Sequence, residues 1–217
     1  MNTTKIKSIA RPIYLVSSKD IDNIYKLDLL KINFLEYNIN LQNYDALIFT
    51  SKNGVSSMQN DSWKDIPSYA ISNITAGAIK HYNGNLQYIG KSGHGDDFAN
   101  ELITQLQNKK VLYIRAKKVV SNLVKILNQN HIICDELITY ETICNNNPNI
   151  KSLKNNAIII FTSPSTIKCF MNTYSWRDDY YAIAIGNTTA KYFHNGMKFK
   201  ISEKRSIKSC IDMALSL

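Results

Sequence analysis

The sequence lacks the features of a membrane-spanning or exported protein. No apolar run approaches the roughly 18 residues that a transmembrane helix needs. Between Met1 and Ser18, the apolar run Ile13–Val16 is too short for the core of a signal peptide. We therefore expect a cytoplasmic protein that does not bind a membrane.

Metal-binding patterns are also missing. The four cysteines and four histidines are scattered, without C-x-x-C pairs or the spacing of metal ligands. Cys134 and Cys169 fall in apolar patterns that are typical of core residues. We therefore expect neither a metal site nor a disulfide among Cys134, Cys144, Cys169 and Cys210.

Common enzyme motifs are absent or imperfect. The sequence has no G-x-G-x-x-G motif. Gly84 and Gly90 precede a Lys-Ser pair as in a phosphate loop, but they are separated by five residues instead of four, and Leu86–Ile89 between them is strand-like. Ser51 and Ser163 lack the glycines of a hydrolase nucleophile elbow. Nucleotide hydrolysis and Ser-His-Asp catalysis are therefore disfavoured.

Basic residues exceed acidic ones, and the net charge is +9. One interpretation is a solvated basic surface without a specific role. The other is a polyanionic ligand attracted by the summed field. Nucleic acid is the weaker candidate, because the basic residues are spread along the chain and no binding motif accompanies them.

Two nearly matching segments dominate the 217-residue chain. Segments 45–58 and 157–170 each contain a short apolar run, a Thr-Ser pair and an amphipathic stretch. Continuous apolar runs are typical of parallel strands that are buried on both faces. Ser51 and Ser163 stand where a helix N-cap is expected.

A second pair of segments follows in the same order. Tyr69–Ala76 is matched by Ala184–Ala190, and each precedes a helix-like stretch that ends at Asn-Gly. This agreement in order and spacing predicts two duplicated α/β domains. Ser/Thr-rich loops then follow the strands at the carboxyl edge of each sheet, where ligands bind in open parallel sheets.

The remaining segments predict how the chain connects the domains. The first strand is predicted at Pro12–Val16, followed by a short helix through about Leu30. Ribbon-like strands at 32–39 and 136–142 bracket one repeat and are expected to pair as a hinge. The predicted domains are residues 1–31 plus 144–217, and 42–135, with linker strands at 32–41 and 136–143.

The Ser/Thr loops permit two interpretations. Capping alone explains any single one of Ser51, Thr75, Ser163 and Thr189. Four such loops at corresponding places indicate sites for carboxylates or phosphates. Tyr140 on the second ribbon is either an ordinary strand tyrosine or a phenol that donates a proton or hydrogen bond.

Segments distributed over nearly the whole chain resemble the uroporphyrinogen-III synthase family: 45–55, 137–142, 160–165 and 184–190. The resemblance implies two flavodoxin-like parallel-sheet α/β domains joined by a two-stranded linker. It implies a lyase that cyclises the eight-carboxylate substrate hydroxymethylbilane to uroporphyrinogen III, with loss of water and inversion of the last pyrrole ring. No cofactor or metal is expected, and a monomer is expected.

The resemblance also implies roles for individual residues. Tyr140 corresponds to the tyrosine that assists departure of the hydroxyl group. The expected substrate-binding residues are Ser51, Asn53, Thr75, Arg115, Ser163, Ser165, Thr188, Thr189 and Lys19. The family often has Thr-Arg-Pro after the first strand. Here Ser17-Ser18-Lys19 stands there, and a lysine lacks the bidentate geometry of arginine.

Two functions from other classes remain open at this stage. One is a non-catalytic two-domain binding protein for a small polyanion. The other is a basic protein associated with nucleic acid, although a small-molecule substrate and no nucleic-acid partner are expected. Incubation with hydroxymethylbilane and separation of the type I and type III products distinguishes all three functions.

Overall fold

A computed structural model describes residues 11–58 and 60–217. Residues 1–10 of the predicted domain 1–31 lie outside this part of the chain. The chain divides into two compact units, the first comprising the N-terminal segment through Lys31 and Ile143–Leu217, and the second comprising Ile32–Thr142. The predicted boundaries, including the linker strands, stay predictions.

The described residues form α-helices, short 3-10 turns and strands. The strands are β1 (Ile13–Val16), β2 (Tyr25–Leu27), β3 (Leu30–Phe34), β4 (Ala46–Phe49), β5 (Ser68–Ala70), β6 (Leu86–Ile89), β7 (Lys110–Ala116), β8 (Ile133–Cys144), β9 (Ile158–Phe161), β10 (Tyr181–Ala184) and β11 (Phe199–Ile201). The helices are α1 (Lys52–Ser56), α2 (Asn73–His81), α3 (Gly95–Ile103), α4 (Leu123–Gln129), α5 (Pro164–Thr173), α6 (Asn187–Ala190) and α7 (Ile207–Leu215), and the 3-10 turns span Leu41–Asn43 and Asp61–Trp63.

Each unit is built on its own sheet, which confirms the α/β class with parallel strands. The five-stranded sheet has the order β11-β10-β9-β1-β2, and its paired strands are parallel. The six-stranded sheet has the order β3-β8-β7-β4-β5-β6, with parallel pairing from β8 to β6. Beside β3, the amide of Leu35 donates to the carbonyl of Thr139 at 2.9 Å.

The two sheets share one spatial order, although the chain passes through them differently. β4 lies between β5 and β7, and β9 lies between β10 and β1. Phe49 pairs with Ala70, and Phe161 pairs with Ala184, so both repeated segments have the same register. When the strands of the first sheet are numbered in chain order from β1, their spatial order is the flavodoxin order 2-1-3-4-5. When the strands of the second sheet are numbered in chain order from β4, their spatial order is 3-2-1-4-5, the other common order of doubly wound folds. The units are circular permutations of each other.

The central strands are buried on both faces, as their continuous apolar runs predict. All four residues of β4 and all four of β9 are buried. In β9, Ile159 and Phe161 pack into one apolar cluster, and Ile158 and Ile160 pack into the cluster on the opposite face. Because successive side chains of a strand point to opposite faces of the sheet, this one short strand contributes to the apolar core on each face.

The helix predicted after the first strand is wrong. This segment instead contains β2, in which Tyr25 pairs with Tyr14 of β1 and stacks on its ring with centroids 4.9 Å apart. An exposed ion pair between Lys26 and Asp20, 2.7 Å apart, lies beside it. Strand pairing and ring stacking therefore outweigh the helix-like pattern of the local sequence.

The expectation that no cysteines are paired is also wrong. Cys144 at the end of β8 and Cys169 in α5 form a disulfide, with Cα atoms 5.2 Å apart. Twenty-five residues separate them in sequence, and only the folded chain brings them together. Cys134 and Cys169 are both buried, in agreement with the expectation of core positions for these two residues. Cys134 and Cys210 are buried free thiols.

Membrane-spanning helices and metal clusters are absent from the part of the chain that the structure describes. Within the described ranges, no helix has the length and apolarity needed to cross a bilayer. Over the same residues, no group of three or more His, Cys, Asp or Glu side chains could hold a metal ion.

Candidate functional site

The repeated segments place equivalent loops at the carboxyl edge of each sheet. Ligands of doubly wound folds bind at this edge, near the point where the strand order reverses. The reversal lies between β1 and β9 in the first unit, and between β7 and β4 in the second unit. Each unit therefore carries its own candidate site, called here the first-unit site and the second-unit site.

The first-unit site contains a cavity of about 220 Å³. The loops that follow β9, β10 and β11 contribute its polar lining: Thr162, Ser163, Gly186, Thr188, Thr189 and Arg205. The Thr162 hydroxyl donates to the carbonyl oxygen of Val16 at 3.3 Å, which ties this loop to the end of β1. Three expected binding residues, Ser163, Thr188 and Thr189, are thus brought to one cavity.

Ser163 is the N-cap of α5, as predicted. Its hydroxyl oxygen accepts from the Thr166 amide at 3.4 Å, and the Thr166 hydroxyl accepts from the Ser163 amide at 3.2 Å. A serine hydroxyl that accepts in this way still has its own proton to donate. Ser165, in the first turn of α5, is exposed and does not line the cavity.

The two threonines of this site differ in burial. Thr189 is 3% exposed and lines the cavity, and its hydroxyl has no hydrogen-bond partner among the described residues. Thr188 is exposed at the mouth of the same cavity. The cavity therefore offers one sheltered hydroxyl and one solvated hydroxyl.

Lys19 lies in the loop after β1. Its amide donates to the Ser17 hydroxyl at 3.1 Å, and its exposed side chain does not line the cavity. Val16 pairs with Phe161 of β9, and Ile114 pairs with Phe49, the equivalent residue of β4. Lys19 and Lys117, each three residues further along the chain, therefore occupy equivalent positions. The sequence prediction of a cation after this strand therefore has a counterpart in the second unit.

The second-unit site repeats the capping pattern. Ser51 is the N-cap of α1 and accepts from the Asn53 amide at 3.1 Å. Ser72 is the N-cap of α2 and accepts from the Thr75 amide at 3.5 Å. Thr75 is 2% exposed, in the position equivalent to Thr189, and Asn53 is half-buried. Both units thus place a buried threonine in the helix after the neighbouring strand.

Tyr140 lies near the carboxyl end of β8, where a register shift sets it opposite Ala116. Its carbonyl oxygen accepts from the Lys117 amide at 2.8 Å, and its side chain is 6% exposed. Its hydroxyl has no hydrogen-bond partner among the described residues. Every fully buried polar side-chain atom of these residues has such a partner, so the Tyr140 hydroxyl is not fully buried. The phenol group therefore retains contact with solvent.

Tyr113 and Thr50 lie beside Tyr140 and were not identified from the sequence. The Tyr113 and Thr50 hydroxyls are 2.8 Å apart, and Tyr113 is 2% exposed. Burial raises the pKa of the Tyr113 phenol, the hydrogen bond with Thr50 partly offsets the rise, and Tyr140 adds to it. Tyr113 therefore stays protonated at neutral pH and can orient neighbouring groups.

Arg115 is strongly engaged within its own unit. Its guanidinium pairs with Glu136 at 2.8 Å and donates to the carbonyl oxygens of Ala116 and Lys117 at 2.8 and 3.3 Å. The Lys117 ammonium lies 3.0 Å from Glu141, and this hydrogen bond lowers the pKa of the Glu141 carboxyl group. Much of the donor capacity of Arg115 is therefore committed to fixing the turn after β7.

Packing explains the glycines of the dismissed phosphate-loop pattern. A Cβ atom on Gly84 would lie 2.4 Å from the Trp63 ring, and one on Gly90 would lie 2.8 Å from the carbonyl oxygen of Ile71. The Lys91 amide donates to the Glu101 carboxylate at 3.0 Å. This amide is therefore not free to bind a phosphate.

Arg205 is the clearest residue that the sequence analysis missed. It lies in the loop between β11 and α7. Recognition of β11 as a strand would have placed Arg205 at a strand end, as for the other site residues. The signal was weak because all three residues of β11 are exposed. A larger cavity of about 590 Å³ lies along α7, but none of the expected site residues lines it.

Comparison with known proteins identifies related chains. The family model for uroporphyrinogen-III synthase HemD matches residues 26–212. The uroporphyrinogen-III synthetase of Helicobacter pylori 26695 is 31% identical, with a TM-score of 0.76 over 95% of this chain and 99% of that chain. No protein of curated function gives a significant match.

A more distant structure matches over a similar length. A mutant uroporphyrinogen III synthase from the extremely thermophilic bacterium Thermus thermophilus is 12% identical, with a TM-score of 0.48 over 95% of this chain and 99% of that chain. At this level the similarity supports no conclusion about the site.

Proposed function

Because the chain belongs to the uroporphyrinogen-III synthase family, we propose that it cyclises hydroxymethylbilane to uroporphyrinogen III in haem biosynthesis. The match of the family model over residues 26–212 is the observation that carries this proposal. The strand-end sites are consistent with it, because each unit presents hydroxyl groups where an acidic substrate can bind.

The proposed reaction places modest chemical demands on the protein. The substrate loses its hydroxyl group as water, which leaves a delocalised azafulvene cation. Attack from an already substituted carbon of the last pyrrole ring gives a spiro intermediate, which fragments and recloses with that ring inverted. Without the protein the unrearranged ring closes spontaneously, so catalysis consists largely of positioning the chain.

Tyr140 is the proposed proton donor. It is mostly buried, yet its hydroxyl remains in contact with solvent at the carboxyl edge of the second sheet. A phenol hydroxyl can donate a hydrogen bond. A hydrogen bond from this phenol to the departing hydroxyl group would assist loss of water without a metal or cofactor.

The capping serines and neighbouring threonines are the proposed carboxylate-binding groups. Ser51 and Ser163 accept from their own helices and can donate their hydroxyl protons to the substrate. Thr75 and Thr189 stand in equivalent buried positions. Hydrogen bonds to charged groups contribute roughly 1.5–3 kcal/mol each, so several of them would hold a substrate with eight carboxylates.

The remaining expected binding residues have different surroundings. Asn53, Ser165, Thr188 and Lys19 are at least partly accessible, and we assign them contacts with substrate carboxylates. Arg115 acts mainly by fixing the turn that precedes its unit's site. The assignment to the hydro-lyases, the cytoplasmic location and the monomeric state remain predictions.

The test is to incubate the purified protein with hydroxymethylbilane, oxidise the products and separate the isomers. We expect the type III isomer in excess over the spontaneous type I isomer. A protein that binds the substrate and yields only type I would instead be the non-catalytic polyanion-binding protein, which the family assignment does not favour.

A further inference from the structure

The cavity of the first-unit site contains a cation that has no hydrogen-bond or ion-pair partner among the described residues. Arg205 lines this cavity, and its side chain forms no hydrogen bond or ion pair with residues 11–58 or 60–217. The other three arginines, Arg11, Arg115 and Arg177, each donate to carbonyl or side-chain oxygens. Arg205 therefore differs in having its full set of donors available.

Gly186 lies next to the Arg205 side chain. A Cβ atom at Gly186 would lie 3.4 Å from Nε and 3.6 Å from Cγ of Arg205. The backbone of Gly186 is extended, with φ 179° and ψ 173°, so the conformation itself does not require glycine. A methyl group at this position would make only ordinary van der Waals contacts with Arg205, so the arginine side chain lies close to the loop at Gly186, and both residues line the cavity.

Hydroxyl groups surround the same space. Ser163, Thr188 and Thr189 line the cavity together with Arg205, and none of the described residues that line it is acidic. An arginine fork flanked by hydroxyl donors is suited to a carboxylate, which accepts two parallel hydrogen bonds. The volume of about 220 Å³ is below the roughly 300–1,000 Å³ of pockets for drug-sized ligands, so it suits one side arm of a larger substrate.

We propose that Arg205 binds one carboxylate side arm of the tetrapyrrole substrate in this cavity. The proposal rests on the proposed function and adds a binding residue that the sequence comparison did not supply. In this site the loop after β11 supplies the guanidinium, whereas Lys19 does not line the cavity.

The test compares steady-state kinetics of three variants. Arg205→Gln removes the charge at similar length, and we expect the KM for hydroxymethylbilane to rise at least tenfold, about 1.4 kcal/mol, with kcat changed less than threefold. Arg205→Lys should recover part of the loss, because it keeps the charge without the fork. Lys208→Gln removes the same charge from the exposed first turn of α7, and its KM should stay within about twofold of wild type.

Gly186→Ala provides a second probe that leaves the charge in place. The added methyl group would make van der Waals contacts with the Arg205 side chain without displacing it, so KM should rise less than in Arg205→Gln and the melting temperature should stay near that of wild type. The inference is overturned if Arg205→Gln has a KM within twofold of wild type, or if Lys208→Gln raises KM as much. If wild-type protein makes no type III product, the proposed function itself fails.

Discussion

At the scale of single residues, Tyr140 is the group whose chemistry the proposed function needs most. Its side chain is 6% exposed, it follows the register shift in β8, and its hydroxyl is not engaged by another described residue. Tyr113 beside it is held by Thr50 at 2.8 Å. One phenol is therefore fixed within the protein, and the other is available to a substrate.

Replacing Tyr140 by phenylalanine removes only the donor. General-acid assistance contributes about 10²–10⁴-fold, but a weak acid such as phenol gives partial assistance. We expect Tyr140→Phe to lower kcat at least tenfold with little change in KM, because the groups proposed to bind carboxylates stay in place. The measurement is the initial rate at saturating hydroxymethylbilane, after subtraction of spontaneous type I product.

Tyr44→Phe is the matched control for this experiment. The Tyr44 hydroxyl donates to Asp135 at 3.0 Å, near the amino-terminal edge of the same sheet. Its loss should leave kcat within about twofold of wild type. A Tyr140→Phe enzyme with wild-type kcat would show that Tyr140 only packs and that the proton comes from elsewhere.

Residues inside the repeated segments could be located from sequence, and residues outside them could not. Ser51 and Ser163 were identified as caps because each follows a buried run that occurs twice. Arg205 was missed because the strand before it is exposed and carries no apolar pattern. Tyr113 was missed because its role depends on Thr50, a contact across neighbouring strands.

At the scale of elements, pairing determined what local patterns could not. The apolar runs of β4 and β9 predict buried parallel strands, and both are buried. β2 has only three residues, of which only Leu27 is buried, so its local sequence carried no strand signal. Its position beside β1 results from backbone hydrogen bonds that form only when the sheet assembles.

The disulfide between β8 and α5 should stabilise the first unit. It closes a loop with a sequence separation of 25, for which the chain-entropy estimate is about 3–4 kcal/mol. We expect reductant to lower the free energy of unfolding of the oxidised protein by this amount, measured by urea denaturation with and without dithiothreitol.

Cys144→Ser is the control for the reductant. Cys144 is half-buried, so the serine should cost little beyond the lost crosslink. The variant should unfold with the free energy of the reduced wild type and should not respond to dithiothreitol. Equal stability of wild type with and without reductant would contradict the crosslink.

At the scale of the whole molecule, the duplicated segments explain why two equivalent sites occur in one chain, although the units are circular permutations of each other. β1 and β2 occupy the places in the first sheet that β7 and β8 occupy in the second, so the repeated strands are central in both. The repeat itself was visible in the sequence. The correspondence of β1 and β2 with β7 and β8 was not visible, because these strands lie outside the matching segments.

The net charge of +9 is a property of the whole molecule, because the field of all its charges acts together on a ligand. If the charge captures an acidic substrate, added salt should raise KM much more than it lowers kcat, since screening acts beyond about 8–10 Å at physiological ionic strength. The measurement is steady-state kinetics from low to high salt. A KM that does not respond to salt would indicate that the basic surface is only solvated.

The central claim is that this chain directs ring closure to the inverted isomer, and product composition tests it most directly. Hydroxymethylbilane is supplied at a fixed concentration, the protein is varied, and the oxidised products are separated into type I and type III. Because spontaneous closure competes with catalysis, the type III fraction should rise with protein concentration until it dominates. A fraction that stays at the protein-free value at every concentration would contradict the claim.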